Sequence, residues 1–363
     1  MKVDLIVGAR PNYMKAAPVY RAFEQYKNDI QCRLIHTGQH YDSRMYEIFF
    51  KELSLPEPDV YLGVGSGLHG EQTGKVMIHY EEEVLKAKPD LTLVVGDVNS
   101  TMACSLVAVK LHIKVGHIEA GLRSRDWSMP EEVNRIVTDS VADYLLTTSR
   151  DADENLLNEG VPSDKIFFVG NTMIDSLDYY LPKTDKLDTL DRFQVEPLKY
   201  VLVTLHRPSN VDKNDIFKGL LSVLEEIQNT MPVIFPIHPR SMKMMEEFGF
   251  GRYLHEIKDL KIVEPLGYLD FLRLQKDAAL VLTDSGGIQE ETTVLNIPCL
   301  TLRENTERPV TVTEGTNEIV GSDPRKILER ATAILNGERK QGHIPDLWDG
   351  HAAERIVQVL LSQ

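Results

Sequence analysis

The sequence predicts an α/β protein made of two doubly wound domains, and three observations carry that reading. Short β-branched runs alternate with helix-length stretches almost from end to end. The runs are apolar throughout, as expected of parallel strands covered on both faces. The chain has 363 residues, enough for two domains that each bury a core, since one domain takes ~100–200 residues.

In order, strands are expected at Val3–Val7, Ile30–His36, Leu91–Val95, Ile113–Ile118, Tyr144–Thr148 and Ile166–Val169. A second series follows at Tyr200–Thr204, Val233–Ile237, Lys261–Glu264, Ala279–Thr283 and Ile297–Leu302, while Asp59–Leu62 is at best a short strand. The segment Leu181–Pro197, with Pro182, Pro197 and many charges, is weakest in apolar periodicity, so the domain boundary is expected just before it, at about residues 170–182. Gly350–Ser362, apolar at Ile356, Val357, Val359, Leu360 and Leu361, is expected as a docked terminal helix.

Composition narrows the function. With 40 basic against 55 acidic residues the net charge is −15, which argues against a nucleic-acid or anionic-membrane binder; a site for an anion must be a local basic island. No apolar run reaches the ~18 residues of a membrane span, and the first residues enter a strand with no signal-peptide pattern, so a cytoplasmic location is expected. Cys32, Cys104 and Cys299 are scattered in apolar surroundings and read as reduced core residues. No His, Cys or Asp pair has a zinc spacing, so no metal is expected.

In open parallel sheets ligands bind outside the carboxyl ends of the strands, which is where chemistry is to be sought. After the first strand, Gly8-Ala9-Arg10-Pro11-Asn12-Tyr13-Met14-Lys15 turns into a helix, placing Arg10 and Lys15 near its N-terminus as a candidate anion site; ordinary surface charge around a βα turn is the alternative. In the second half, Thr283-Asp284-Ser285-Gly286-Gly287-Ile288-Gln289-Glu290-Glu291 reads as strand, turn and helix. There Ser285, Gly286 and Gly287 let backbone donors approach a phosphate, and Glu290 or Glu291 can accept from ribose hydroxyls or simply complement the helix dipole. Arg308, after the next strand, adds a cation to that edge.

Three acidic residues follow first-half strands: Asp97, Glu119 and Glu131. Singly, Asp97 reads as a helix cap and Glu131 as a dipole partner after Pro130; together on one rim they suit proton abstraction and return. His206 with Arg207, and His238, close the first two strands of the second half, where a histidine can meet a phosphate or a leaving group. Gly65-Ser66-Gly67-Leu68-His69-Gly70 matches G-x-G-x-x-G, but it follows a short run in the third βα unit and gives nicotinamide binding little support.

Taken together, these motifs resemble the non-hydrolysing UDP-N-acetylglucosamine 2-epimerases. The resemblance runs nearly end to end, through Gly8-Ala9-Arg10-Pro11 with Lys15, Gly38-Gln39-His40, Gly96-Asp97, His117-Ile118-Glu119-Ala120-Gly121-Leu122-Arg123, Pro130-Glu131-Glu132-Val133-Asn134-Arg135, Gly170-Asn171-Thr172, Thr204-Leu205-His206-Arg207, Asp284 to Glu291 and Thr306-Glu307-Arg308-Pro309. It implies the GT-B architecture, two Rossmann-like domains around a cleft: residues 1–171 completed by a C-terminal helix at 350–363, and residues 172–349 binding UDP. It also implies a homodimer, no cofactor, and a supply of precursors for cell-envelope polysaccharides. By this resemblance Asp97, Glu119 and Glu131 form the acid/base set and His206 assists UDP departure. Arg10, Lys15, Ser285, Gly286, Gly287, Glu291 and Arg308 are the nucleotide positions, with Phe271 near uracil and Arg135, Arg207 and His238 also in the substrate site.

The sequence departs from the family in two places. Gln39, Gln72 and Arg207 agree with members that UDP-N-acetylglucosamine activates, but Asp42 and Glu71 stand where Gln and Arg are expected, and carboxylates would repel a second nucleotide-sugar. His206-Arg207-Pro208-Ser209-Asn210 differs from the usual His-Arg-Arg-Glu-Asn. That leaves room for UDP-2,3-diacetamido-2,3-dideoxyglucuronate as substrate. A GT-B glycosyltransferase, which needs an acceptor, and a hydrolysing epimerase, which releases free sugar, are the other classes.

Overall fold

The structure is a computed structural model that describes residues 1–39, 53, 55–251, 253 and 257–362, without the side chains of Arg10 and Pro11; His40 and Asp42 lie outside the described residues. The chain divides into two compact units, Met1–Tyr179 with Asp346–Gln363, and Tyr180–Pro345. Each is a parallel sheet covered by helices.

The first unit holds β1 (Lys2–Val7), β2 (Gln31–His36), β3 (Val60–Tyr61), β4 (Leu91–Val95), β5 (Lys114–Ala120), β6 (Tyr144–Thr147) and β7 (Ile166–Phe168). Their spatial order is β3-β2-β1-β4-β5-β6-β7. The second holds β8 (Val201–Thr204), β9 (Val233–Pro236), β10 (Leu260–Val263), β11 (Leu280–Thr283), β12 (Cys299–Thr301) and β13 (Asn317–Ile319), ordered β10-β9-β8-β11-β12-β13. The direction of strand addition reverses beside the first strand of each sheet, between β1 and β4 and between β8 and β11. In doubly wound sheets such a switch point opens a crevice at the strands' carboxyl ends. The segments that leave these four strands are Gly8-Ala9, Gly96-Asp97, Leu205-His206 and Asp284-Ser285.

The cores follow the apolar runs. Helix Asn214–Ile227 buries Phe217, Leu220, Leu221, Leu224 and Ile227, spaced by three and four so that one stripe faces the sheet residues Val201, Val203 and Phe235. Each such side chain contributes about 1.5–3 kcal/mol when removed from water.

Two elements differ from expectation. β5 runs to Ala120 and includes Glu119, which sits at a register shift between Ile118 and Ala120. β13 has the polar residues Asn317 and Glu318 and escapes an apolar-run reading; Asn317 is buried because its amide donates to Gln289 Oε1 at 3.2 Å and its carbonyl accepts from Thr301 Oγ1 at 2.7 Å.

The change of unit falls inside the helix Thr172–Thr184, with Pro182 in its last turn; it lies within the span of about 170–182 expected from composition and beyond the 171/172 division that the resemblance implied. The first turns of that helix are tied to the first unit. Ser176 Oγ donates to the Met14 carbonyl, and the Asp175 carboxylate accepts from Ala352 N at 3.1 Å and Ala353 N at 2.7 Å at the start of the terminal helix Ala352–Leu361. Among the described residues no helix is long and apolar enough to cross a membrane.

Candidate active site

At the first switch point the chain builds a carboxylate cluster. Lys15, in the second turn of helix Arg10–Gln25, donates its Nζ to Glu119 Oε2, and the two side chains are only 7% and 3% exposed. Glu119 is in the left-handed region at φ 71°, an uncommon conformation for a non-glycine residue, which turns its carboxylate toward β4. Gly96, at φ 68°, leaves the necessary space: a Cβ there would lie 3.3 Å from Glu119 Oε2 and 3.4 Å from Asn12 Nδ2. Asn12 ties the two strand exits together, accepting from Gly8 N at 3.2 Å and Ala9 N at 3.0 Å and donating to Val95 O at 2.8 Å.

Asp97 is 28% exposed, and its Oδ2 accepts from Arg135 Nε at 3.1 Å and Nη2 at 2.7 Å. Arg135 is buried on helix Pro130–Val141 and also donates to Glu132 Oε2 at 2.5 Å. Burial would raise the Glu132 carboxyl, but the backbone N–H groups of Ser124 and Arg125 and the Arg135 charge outweigh it and hold the group below its usual range. Glu131 is half-buried beside them, with no hydrogen-bond or ion-pair partner among the described residues.

The second switch point combines an oriented histidine with a helix N-terminus. Asp284 is fully buried and accepts from His206 N and Arg207 N, each at 2.9 Å, and from Asn210 Nδ2 at 3.1 Å. Its Oδ1 lies 2.8 Å from His206 Nδ1. Burial works against ionisation, yet the His206 ring and these backbone donors lower the Asp284 carboxyl to about 2. The contact fixes Nδ1–H toward Asp284 and leaves Nε2 of the half-buried ring for a ligand. His238 is exposed, its Nδ1 accepts from Arg240 N at 3.1 Å, and its ring centroid is 5.4 Å from that of His206.

Ser285 caps helix Gly286–Leu295 by position, and its hydroxyl has no partner among the described residues. Under that N-terminus lies Arg308, whose Nε is 2.7 Å from Glu290 Oε1 and whose Nη1 donates to Glu307 Oε1 at 2.7 Å. A Cβ on Gly286 would come within 2.6 Å of Arg308 Nη1, so glycine is what lets the guanidinium approach the helix start. Glu307 also pairs with Arg303 Nη2 at 2.9 Å, and Arg207 Nη2 is 4.0 Å from it. The cluster thus gathers three guanidinium groups against two carboxylates, Glu290 and Glu307, the local basic island that an anion site requires.

The structure therefore groups Lys15, Asp97, Glu119, Glu131 and Arg135 at the strand ends of the first unit, and, separately, His206, Arg207, His238, Ser285, Gly286, Gly287 and Arg308 at those of the second. Glu291 accepts from Tyr268 OH at 2.8 Å inside the second unit. Phe271 packs partly buried against Tyr200, Leu202 and Leu274. Helix Arg10–Gln25 begins at Arg10, but the side chain lies outside the described residues. Sequence reasoning gave no role to Asn12, Glu132 or Asp284. Asp284 stood in a quoted motif directly before Ser285, and that adjacency to a strand end was the available signal.

Fold and site together define a two-domain enzyme of the GT-B class with Rossmann-like units. Residues 22–361 match the sequence model of the family described as UDP-N-acetylglucosamine 2-epimerase. The UDP-N-acetylglucosamine 2-epimerase of Methanocaldococcus jannaschii is 46% identical over 365 residues, covering 99% of each chain. A crystal structure of the Methanocaldococcus jannaschii enzyme in complex with UDP-GlcNAc and UDP superposes with a TM-score of 0.92 at 45% identity over 100% of both chains. The UDP-2,3-diacetamido-2,3-dideoxy-D-glucuronate 2-epimerase of Pseudomonas aeruginosa is 40% identical over 366 residues, again covering 99% of each. The chain belongs to the UDP-N-acetylglucosamine 2-epimerase family.

Proposed function

We propose that this enzyme interconverts UDP-N-acetylglucosamine and UDP-N-acetylmannosamine by eliminating and re-adding UDP. The C2 hydrogen is not adjacent to a carbonyl, so it must leave as a proton while the C1–oxygen bond breaks and UDP departs with the bonding pair. The product of that step is 2-acetamidoglucal. Return of UDP to C1 with protonation of C2 on the opposite face completes the inversion.

The carrying observation is the cluster at the β4 and β5 ends, where Glu119 on Lys15 and Asp97 on Arg135 place two carboxylates with different partners beside Glu131. Such unlike environments suit the acid and base halves of a proton exchange. In this reading Asp97, Glu119 and Glu131 handle the C2 proton. His206, oriented by Asp284, supports the departing diphosphate through Nε2. Arg308, Arg207, Ser285 and the N–H groups of Gly286 and Gly287 oppose its developing charge, a term worth about 3–4 kcal/mol per donor at comparable sites. Arg10, His238, Glu291 and Phe271 complete the nucleotide site. The reading extends to a cytoplasmic homodimer needing no cofactor, supported by the family relationship and by Cys32, Cys104 and Cys299 all being free thiols.

Proton NMR with UDP-GlcNAc in D2O tests this. UDP-ManNAc with deuterium at C2 of both sugars is expected; free ManNAc and UDP would instead mean hydrolysis. Asp97→Asn, Glu119→Gln and Glu131→Gln should each bind UDP within about threefold of wild type and lose at least ~10²-fold in kcat. A wild-type rate in any one removes that residue from the set. A second reading, the diacetamido-uronate as substrate, is favoured by Pro208-Ser209 after His206-Arg207 and by the Pseudomonas aeruginosa relative. Turnover of that sugar alone would select it.

A further inference from the structure

We propose that Asp139 and His117 form a buried positioning pair that sets Glu119 and Asp97 for proton transfer, an inference that rests on the epimerase reading for its kinetic consequences. His117 is completely buried on β5, two residues before Glu119. Its Nδ1 lies 2.6 Å from Asp139 Oδ1 and its Nε2 lies 2.8 Å from the carbonyl oxygen of Gly96. A carbonyl can only accept, so Nε2 carries a proton. Asp139 Oδ2 accepts from Gly121 N at 3.0 Å and Arg123 Nη1 at 2.7 Å, so both carboxylate oxygens are engaged. Arg123 is in turn paired with Glu159 at 2.6 Å.

The pair grips every backbone segment that the carboxylates depend on. Asp139 holds β5 on both sides of Glu119, through the His117 ring before it and Gly121 N after it, where the strand is bulged and Glu119 has its positive φ. Through His117 it holds the Gly96 carbonyl, in the residue before Asp97. Asp139 also lies four residues beyond Arg135 and eight beyond Glu131 on one helix, so all three elements share a single buried anchor. Neither residue needs to touch substrate; both act through the groups they hold.

The test has one arm that needs no variant. Nitrogen-15 histidine spectra of the wild-type enzyme at pH 7 should contain one imidazole whose Nε2 proton is protected from solvent exchange. Absence of such a ring overturns the proposal, whatever the substrate proves to be. In the second arm, His117→Gln and Asp139→Asn should lower kcat by about 10–100-fold with KM and the UDP Kd within about threefold, and Asp139→Glu should recover part of the loss. A lower melting temperature with kcat unchanged would show a structural ion pair only and overturn the positioning role. Failure of the wild type to epimerise any UDP-hexosamine would remove the function reading while leaving the spectroscopic arm decisive for the pair.

Discussion

At the scale of single residues, the site depends on conformations that only its surroundings can hold. Glu119 at φ 71° costs of order 1–3 kcal/mol, and its pairing with Lys15 is part of what holds it there. Gly96 is the matching concession on β4. Gly96→Ala adds a left-handed penalty of about 1–2 kcal/mol and a methyl group 3.3 Å from Glu119 Oε2. It should lower kcat at least ~10-fold and stability by that amount, measured by steady-state rates and urea melts; a neutral effect on kcat would mean Glu119 does not need its present placement. Asp284→Asn is expected to lower kcat by about 10–100-fold, because the single amide oxygen is claimed by His206 N, Arg207 N and Asn210 Nδ2 and the NH2 group is then turned toward His206 Nδ1. Since folding depresses the Asp284 carboxyl to about 2, its stabilising contribution is present above about 4 and lost as the pH falls toward 2. The Asn variant should therefore lack that part of the wild-type acid transition. The sequence exposed Gly96-Asp97 and Asp284-Ser285-Gly286-Gly287 as strand-end motifs. It could not show the Lys15–Glu119 pair, whose members are 104 residues apart in the chain.

At the scale of elements, apolar runs located every strand whose both faces are covered, and failed where polar groups are satisfied by local bonds. β13, held through Asn317, is such a case, and so is the end of β5, where the buried polar Glu119 lies beyond the expected Ile113–Ile118. Helix ends show the same limit. Asp175, in the first turn of helix Thr172–Thr184, reaches Ala352 N and Ala353 N across 177 and 178 residues of sequence. Burial raises its carboxyl to about 6, and those two N–H donors and Arg355 offset only part of the shift. A raised value in the folded state means that this carboxyl favours folding most below about 4, and that the contribution is lost as the pH rises to about 6. The stability of wild type relative to Asp175→Asn should consequently fall by about 2–3 kcal/mol between pH 4 and pH 7 in chemical melts. A flat difference would show that the terminal-helix contact leaves the carboxyl unperturbed.

At the scale of the whole molecule, a chain of net charge −15 takes an anionic ligand, so affinity must come from the few cations concentrated at one edge and not from the overall field. On the proposed reading, the clustering of Arg308, Arg303 and Arg207 around the start of helix Gly286–Leu295 assigns that affinity to the second unit, while the carboxylates proposed to handle the proton belong to the first. Binding and chemistry should then separate in a melting experiment. UDP at 100 times its Kd stabilises the state that binds it by about 2.7 kcal/mol. Glu119→Gln should retain that shift although its kcat falls by at least ~10²-fold. Gly286→Ala, which displaces Arg308 from the helix start, should lose most of it and raise KM, while the carboxylate cluster stays intact. If Glu119→Gln instead abolished the shift and Gly286→Ala preserved it, the diphosphate would be held by Lys15 and its neighbours at the β1 end, and the assignment of nucleotide to the second unit would have to be reversed.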